Sequence, residues 1–222
     1  MFSVTNTELV NSSFYITYAF LMTTATITFI EAIRTNDSKI RNILNLETCI
    51  SVVAAFFYGK FVGMFENKDE EVDYAKINFT RYLDWSITTP IMLLVLVLAL
   101  LYNNKAGPFN FYSFLAVLAL NYGMLGSGYL GELQMFDKTV ANAIGFVFFI
   151  GLYYFIYSNY VGNNFDNKIL FWAFVILWSI YGLAYFMGDL EKNLVYNVLD
   201  LLSKCFVGIF FWAYYTKVFS LS

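Results

Sequence analysis

Apolar residues along this chain gather in seven long runs separated by short polar ones. The runs fall at roughly 9–33, 43–65, 77–102, 109–131, 139–161, 168–188 and 193–219, each near the ~20 residues that cross a bilayer as an α-helix. A barrel of strands would alternate apolar and polar positions in segments of about 10 residues. These runs are far longer and rich in Leu, Phe, Ile and Ala. The pattern predicts an all-α membrane protein, a bundle of seven transmembrane helices. The separating stretches RTNDSK, ENKDEEVD, NNKAG, LQMFDK, NNFDNK and GDLEKN leave no room for a soluble unit, so residues 1–222 read as one membrane domain.

Charge adds a direction. Arg34, Lys39, Arg41, Lys105, Lys168 and Lys217 share one set of polar stretches with only Asp37 and Asp166, whereas the alternate set carries Glu66, Asp69, Glu70, Glu71, Asp73, Glu132, Asp137, Asp189 and Glu191. Cationic loops stay on the cytoplasmic side, which puts the N-terminus outside and the C-terminus in the cytoplasm. The opening MFSVTNTELVNSS lacks a basic region and a cleavage signature, so the first span is expected to act as its own insertion signal. Asn11-Ser12-Ser13 matches a glycosylation pattern but borders that span and reads as incidental.

Composition narrows the chemistry. The 222 residues are 59% hydrophobic, 21% aromatic and only 13% charged, with net charge −3, which excludes the surface of a soluble domain. No nucleic-acid partner is expected. Histidine is absent, removing the commonest metal ligand and general base, so hydrolytic and zinc chemistry are not expected and the chain does not read as an enzyme. Cys49 and Cys205 fall inside spans and read as small apolar residues.

Charges within the spans need a partner or a purpose. In the seventh run Asp200 and Lys204 lie four residues apart, with Asn193 and Asn197 on the same helical face. A lysine at this depth cannot snorkel to water. It is either half of a structural ion pair or a Schiff-base lysine, whose cationic imine needs a carboxylate nearby. The third run contains RYLDWSITTP, residues 81–90, in which Arg81, Asp84 and Thr88, with Val95 beyond, follow one face. The third and seventh helices run in the same direction, so Asp84 and Asp200 can both approach Lys204, with Arg81 one turn further out. Two carboxylates then face a lysine and an arginine, and the charges balance.

The sixth run, FWAFVILWSIYGLAYF, sets Trp178, Tyr181 and Tyr185 on one stripe around Gly182, and the fourth run offers the small-residue segment LNYGMLGSGYLG with Met124 inside it. Aromatic stripes and small residues serve helix packing equally well. Beside a buried lysine they also suit a flat slot for a long conjugated ligand.

Together RYLDWSITTP, WSIYGLAY and DLLSK, in this order within seven spans, resemble the microbial rhodopsins over essentially the whole chain. The resemblance implies all-trans retinal bound covalently to Lys204 as a protonated Schiff base, Asp84 as proton acceptor and primary counterion, Asp200 as second counterion, Arg81 as compensating charge and Thr88 as a hydrogen-bond support for Asp84. It further implies a retinal pocket of Tyr82, Trp85, Thr89, Met92, Met124, Gly128, Trp178, Tyr181, Tyr185 and Ser203. The implied partners are the lipid bilayer and protons or small cations, with homo-oligomers allowed. In overall character the chain is closest to the rhodopsins of giant algal viruses.

Three positions depart from the common pattern: Asn121, Gly182 and Val95. Valine cannot return a proton to the Schiff base where fast pumps carry a carboxylic acid. Glu47, in the second run, is the obvious substitute, although a packed, protonated carboxyl is an equal alternative. Glu47 also resembles the pathway carboxylates of channelrhodopsins, and with Ser51, Tyr58, Asn197, Lys60 and the segment TTATIT it would outline a hydrated route. On these grounds a light-gated cation channel ranks first, an outward proton pump second and a sensory receptor third, with a small membrane transporter as the reading without retinal.

Overall fold

The computed structural model describes residues 6–66, 72–105 and 107–217. Among these residues seven helices are long and apolar enough to cross a membrane. They are α1 (Asn6–Arg34), α2 (Ser38–Glu66), α3 (Tyr74–Asn103), α4 (Phe111–Glu132), α5 (Lys138–Val161), α6 (Phe165–Ala184) and α7 (Asp189–Tyr215). Asp69, Glu70 and Glu71, counted above for orientation, lie outside the described residues, as do positions 218 and 219 of the seventh run.

The helix ends differ from the apolar runs for a local reason. A helix starts where a side chain takes up its free N–H groups, which hydropathy does not register. Helix α2 begins at Ser38 because Asp37 Oδ1 accepts from the N–H groups of Lys39 at 2.8 Å and Ile40 at 3.3 Å. Asp73, Asn110, Asp137 and Asn164 cap α3 to α6 in the same way. Helix α6 stops at Ala184 and α7 starts at Asp189, ahead of the expected 193, with Asp189 and Glu191 in a first turn whose dipole favours anions.

Helix α3 continues through Pro90. Proline cannot donate to the Ser86 carbonyl, and no water replaces that bond within lipid. The Tyr122 hydroxyl of α4 donates to it instead, at 3.0 Å. Tyr122→Phe should therefore lower stability by about 1–2 kcal/mol, read as a lower melting temperature with an unaltered visible spectrum. An unchanged melting temperature would show that this carbonyl finds another partner.

Two π-helical turns interrupt the regular helices, at Tyr157–Val161 in α5 and at Leu201–Phe206 in α7. Such turns leave carbonyls misaligned. Asn104 donates to the Tyr160 carbonyl at 2.8 Å, and the buried Asn167 to those of Val161 and Leu100 at 3.1 Å each, tying α3, α5 and α6 together at the C-terminal end of the bundle. In α7 the π turn contains Lys204, and Thr17 of α1 donates to the Asn197 carbonyl just before it, at 3.2 Å.

Between Asp84 and the C-terminal end of α3, Val95, Leu96, Val97, Ala99 and Leu100 are fully buried and pack on Leu152, Phe171, Phe174 and Phe211. Ile33, Phe56, Val147, Ile150 and Leu183 are exposed on the outside of the bundle, where lipid is their solvent.

Candidate functional site

Lys204 is buried at the centre of α7, and its Nζ donates to Asp84 Oδ2 at 2.6 Å, with Asp200 Oδ1 at 3.5 Å. Asp84 reaches it from α3 and Asp200 from one turn earlier in α7, so the pairing expected from helical spacing is the one found. Arg81, 1% exposed, lies one turn towards the N-terminal end of the bundle. Its Nη1 faces Asp200 Oδ2 at 3.3 Å, and its Nη2 donates to Asn193 Oδ1 at 3.0 Å and Asn197 Oδ1 at 2.9 Å. The guanidinium also lies over the Phe61 ring, 5.0 Å from its centroid. Two cations and two carboxylates thus sit in one buried cluster with no surplus charge, as burial requires.

Asp200 is the better solvated carboxylate of the two. Tyr58 donates to its Oδ2 at 2.8 Å and Tyr181 to its Oδ1 at 2.7 Å, and the Tyr181 hydroxyl also lies 3.0 Å from Ser203 Oγ. Among the described residues the Asp84 carboxyl is bonded by Lys204 alone, and its Oδ1 is buried without a hydrogen-bond partner. The bond expected from Thr88 goes to the Asp84 main-chain carbonyl, at 2.9 Å, and not to its carboxyl. A helical threonine readily bonds the carbonyl four residues back.

A cavity open in part to the bundle surface leads away from Lys204 between α3, α4, α5 and α6. All ten pocket residues named from the sequence line it. The Trp85 ring stands edge-on to Tyr181 at 5.5 Å, and Asn121 donates to Thr89 Oγ1 at 2.9 Å, fixing that hydroxyl at the wall. Gly182 is required here, since a Cβ would lie 2.7 Å from the Phe146 ring. The wall from α5, including Asn142, Gly145, Phe146 and Phe149, was not foreseen, because that helix carries neither a charge pattern nor a motif. A long apolar slot ending on a buried amine with a carboxylate at 2.6 Å fits retinal held as a cationic imine.

The four residues expected to mark an ion route fall into two groups. Tyr58 and Asn197 belong to the Arg81–Asp200 network. Glu47 and Ser51 lie on the same face of α2 but nearer the C-terminal end, both buried. Glu47 packs against α7 at Gly208, where a Cβ would lie 3.1 Å from Glu47 Oε2 and 2.8 Å from Thr24 Cγ2. Lys60, grouped with them from the sequence, is exposed, its ammonium 4.6 Å from the Phe56 ring centroid.

Sequence reasoning missed a second ionic cluster at the N-terminal end. Lys192 is fully buried, pairing with Glu132 Oε1 and Asp189 Oδ1 at 3.0 Å each, while Asn78 donates to Glu132 Oε2 at 3.2 Å. Glu132, Asp189 and Lys192 read from the sequence as loop charges. Lys192 precedes Tyr196 by four positions on the inward face of α7, which was the available signal.

Seven membrane helices around a buried lysine, its counterions and an aromatic slot define a retinal-binding membrane protein of the rhodopsin class. The chain belongs to the family described as bacteriorhodopsin-like protein, whose model matches residues 9–218. It is 54% identical to the viral rhodopsin OLPVRII, whose crystal structure superposes with a TM-score of 0.89 over 96% of this chain and 100% of that one. It is 26% identical to the green-light absorbing proteorhodopsin of Gamma-proteobacterium EBAC31A08, over 90% of this chain and 84% of that protein. The blue light-absorbing proteorhodopsin from Med12 shares the fold, with a TM-score of 0.75, 23% identity and coverage of 92% and 95%. The protein is thus an integral, multi-pass microbial rhodopsin close to the viral rhodopsins, with retinal bound to a lysine through a Schiff base, in a family of light-driven ion transporters.

Proposed function

We propose that this rhodopsin is a light-driven outward proton pump in which Lys204 carries the retinal, Asp84 takes the proton from its nitrogen and Glu47 restores it. The N-terminal end of the bundle is then the outer end, a direction supported by the cations Arg34, Lys39, Arg41, Lys105 and Lys168 at the opposite, inner end. When bound, retinal supplies light absorption and an isomerisation that turns the proton on the Lys204 nitrogen to a new direction. Asp84 Oδ2, 2.6 Å from that nitrogen, is the acceptor. Asp200 serves as the second counterion, its oxygens already held by Tyr58, Tyr181 and Arg81. On the inner side Glu47 has no ion pair among the described residues. An ionised carboxyl there would be buried without compensation, whereas the neutral acid has a proton to give.

The observation that carries this reading over a channel is the asymmetry around Lys204. A direct acceptor and a polar network lie on its outer side, while on the inner side α3 presents Val95, Leu96, Val97, Ala99 and Leu100, all fully buried. A cation pore open in this conformation would need a polar lining at that level. The channel reading keeps one observation in its favour: Ser51 Oγ, one turn from Glu47 in α2, is buried without a hydrogen-bond partner among the described residues, as in a route that fills with water. Photocurrents recorded against opposing gradients separate the two. A pump gives an outward current at every holding potential, and a current that reverses with the cation gradient would overturn it.

Glu47→Gln keeps the shape and removes the donor. It should slow return of the proton to the Lys204 nitrogen by about a hundredfold at neutral pH and leave the visible spectrum nearly unchanged. Val95→Asp in the same background should restore part of the rate. Recovery as fast in Glu47→Gln as in the parent would remove Glu47 from the scheme.

A further inference from the structure

Tyr215 has no part in that scheme, yet its hydroxyl is buried at the inner end of α7 without a hydrogen-bond partner among the described residues. The ring is held edge-on to Tyr102, with centroids 5.3 Å apart, and parallel to Phe211 at 5.9 Å. Packing alone does not call for the oxygen. The neighbouring positions 206, 210 and 211 of the same helix are phenylalanines, and a buried hydroxyl left unbonded is a liability that phenylalanine avoids.

The surroundings of Tyr215 link the inner surface to the buried donor. On one side the Tyr102 hydroxyl donates to Asp37 Oδ2 at 3.0 Å, and Asp37 lies in the short connection between α1 and α2. Burial would raise the Asp37 carboxyl, but bonds from the Lys39 N–H, the Tyr102 hydroxyl and the Ile40 N–H outweigh it and hold the group below the usual carboxylate range. Asp37 is therefore ionised at neutral pH. On the other side Glu47 packs against Gly208, which lies seven residues, or two helical turns, before Tyr215 on the same buried face of α7. The remaining titratable neighbour is Tyr214, which donates to Asp166 Oδ2 at 2.6 Å and is committed there.

We propose that the Tyr215 hydroxyl is the relay through which Glu47 regains its proton from the inner surface, by way of Asp37 and Tyr102. The relay rests on the reading of Glu47 as donor. After Glu47 has given up its proton, Asp37 takes one from inner water and passes it to the Tyr102 oxygen. The proton of Tyr102 moves to the Tyr215 oxygen, and that of Tyr215 to the Glu47 carboxylate. Each phenol breaks one O–H bond and forms one, so both stay neutral. The sum is one proton lost by water and one gained by Glu47. Single water molecules bridge wherever two hydroxyls stand too far apart for direct transfer.

The test is hydrogen–deuterium exchange of the Glu47 carboxyl, followed by infrared spectroscopy in the full, retinal-bound protein in lipid, in the dark. The Glu47 band is assigned as the one lost in Glu47→Gln. Tyr215→Phe, which keeps the ring, should slow exchange of that band by about tenfold or more without moving the visible band. Tyr102→Phe should slow it similarly, and the double variant should be no slower than the worse single, because the two act in series. Exchange at the parent rate in Tyr215→Phe, with the Glu47 band still assigned, would overturn the relay and leave the donor reading standing. Absence of any carboxyl band lost in Glu47→Gln would remove the donor and the relay together.

Discussion

Lys204→Ala should yield a protein that takes its place in the membrane but stays colourless after addition of retinal. Among the described residues no other amine lies at the end of the aromatic slot, and an imine requires a nitrogen within reach of the cavity. Lys192 is the other buried lysine among the described residues, and it is held by Glu132 and Asp189 at the N-terminal end of the bundle. The backbone hydrogen bonds that keep each helix in lipid do not involve the Lys204 side chain, so helical content should persist. Stability should not. Removing one cation from a buried group of four charges leaves Asp84 without a partner, a loss of about 3–5 kcal/mol for a broken buried pair. The measurements are the visible spectrum, circular dichroism and melting temperature of the variant beside the parent. A visible band in Lys204→Ala would place the chromophore on another lysine and remove the basis for every role assigned around this one.

Asp84→Asn should shift the visible band to longer wavelength and cut light-driven proton release by at least about a hundredfold. The carboxylate 2.6 Å from Nζ stabilises positive charge localised at that nitrogen. With the carboxylate neutral, charge spreads more readily along the conjugated chain, and the excitation energy falls. The same substitution removes the acceptor proposed for the proton on the Lys204 nitrogen. Asp200, 3.5 Å from Nζ, is no replacement, because Tyr58, Tyr181 and Arg81 already occupy its oxygens. Proton release is read with a pH-sensitive dye outside vesicles, and the spectrum in the same samples. Undiminished release would make Asp200 the acceptor and leave Asp84 a charge partner only.

Much of the site was legible before the structure because lipid makes polarity informative. A charged residue inside a span cannot be bland, so Arg81, Asp84, Asp200 and Lys204 stand out from their surroundings, and helical spacing alone brings each pair to one face. The slot residues of α3, α4 and α6 followed from the resemblance. The part contributed by α5 did not, since Gly145, Phe146 and Phe149 look the same whether they face retinal or lipid. Thr88 illustrates a finer limit. Its position beside Asp84 was readable, but whether its hydroxyl meets the carboxyl or the main-chain carbonyl depends on a rotamer.

From the sequence alone come the seven spans, their alternating direction, the facing carboxylates and the buried amine, because hydrophobic length and helical period act locally and register in every residue. Only the tertiary structure decided which polar atoms share a partner. Tyr58 and Asn197 were separated from Glu47 and joined to Arg81 and Asp200, and Lys192 was taken from a presumed loop into a buried ionic cluster. Glu47 was set against Gly208 and Tyr215 was left with an unbonded hydroxyl. The physical reason is range. Hydrogen bonds and close ion pairs are made or lost within a few ångströms, so they depend on the rotation of each helix about its axis and on the π turns that shift it, neither of which any span records in its own sequence.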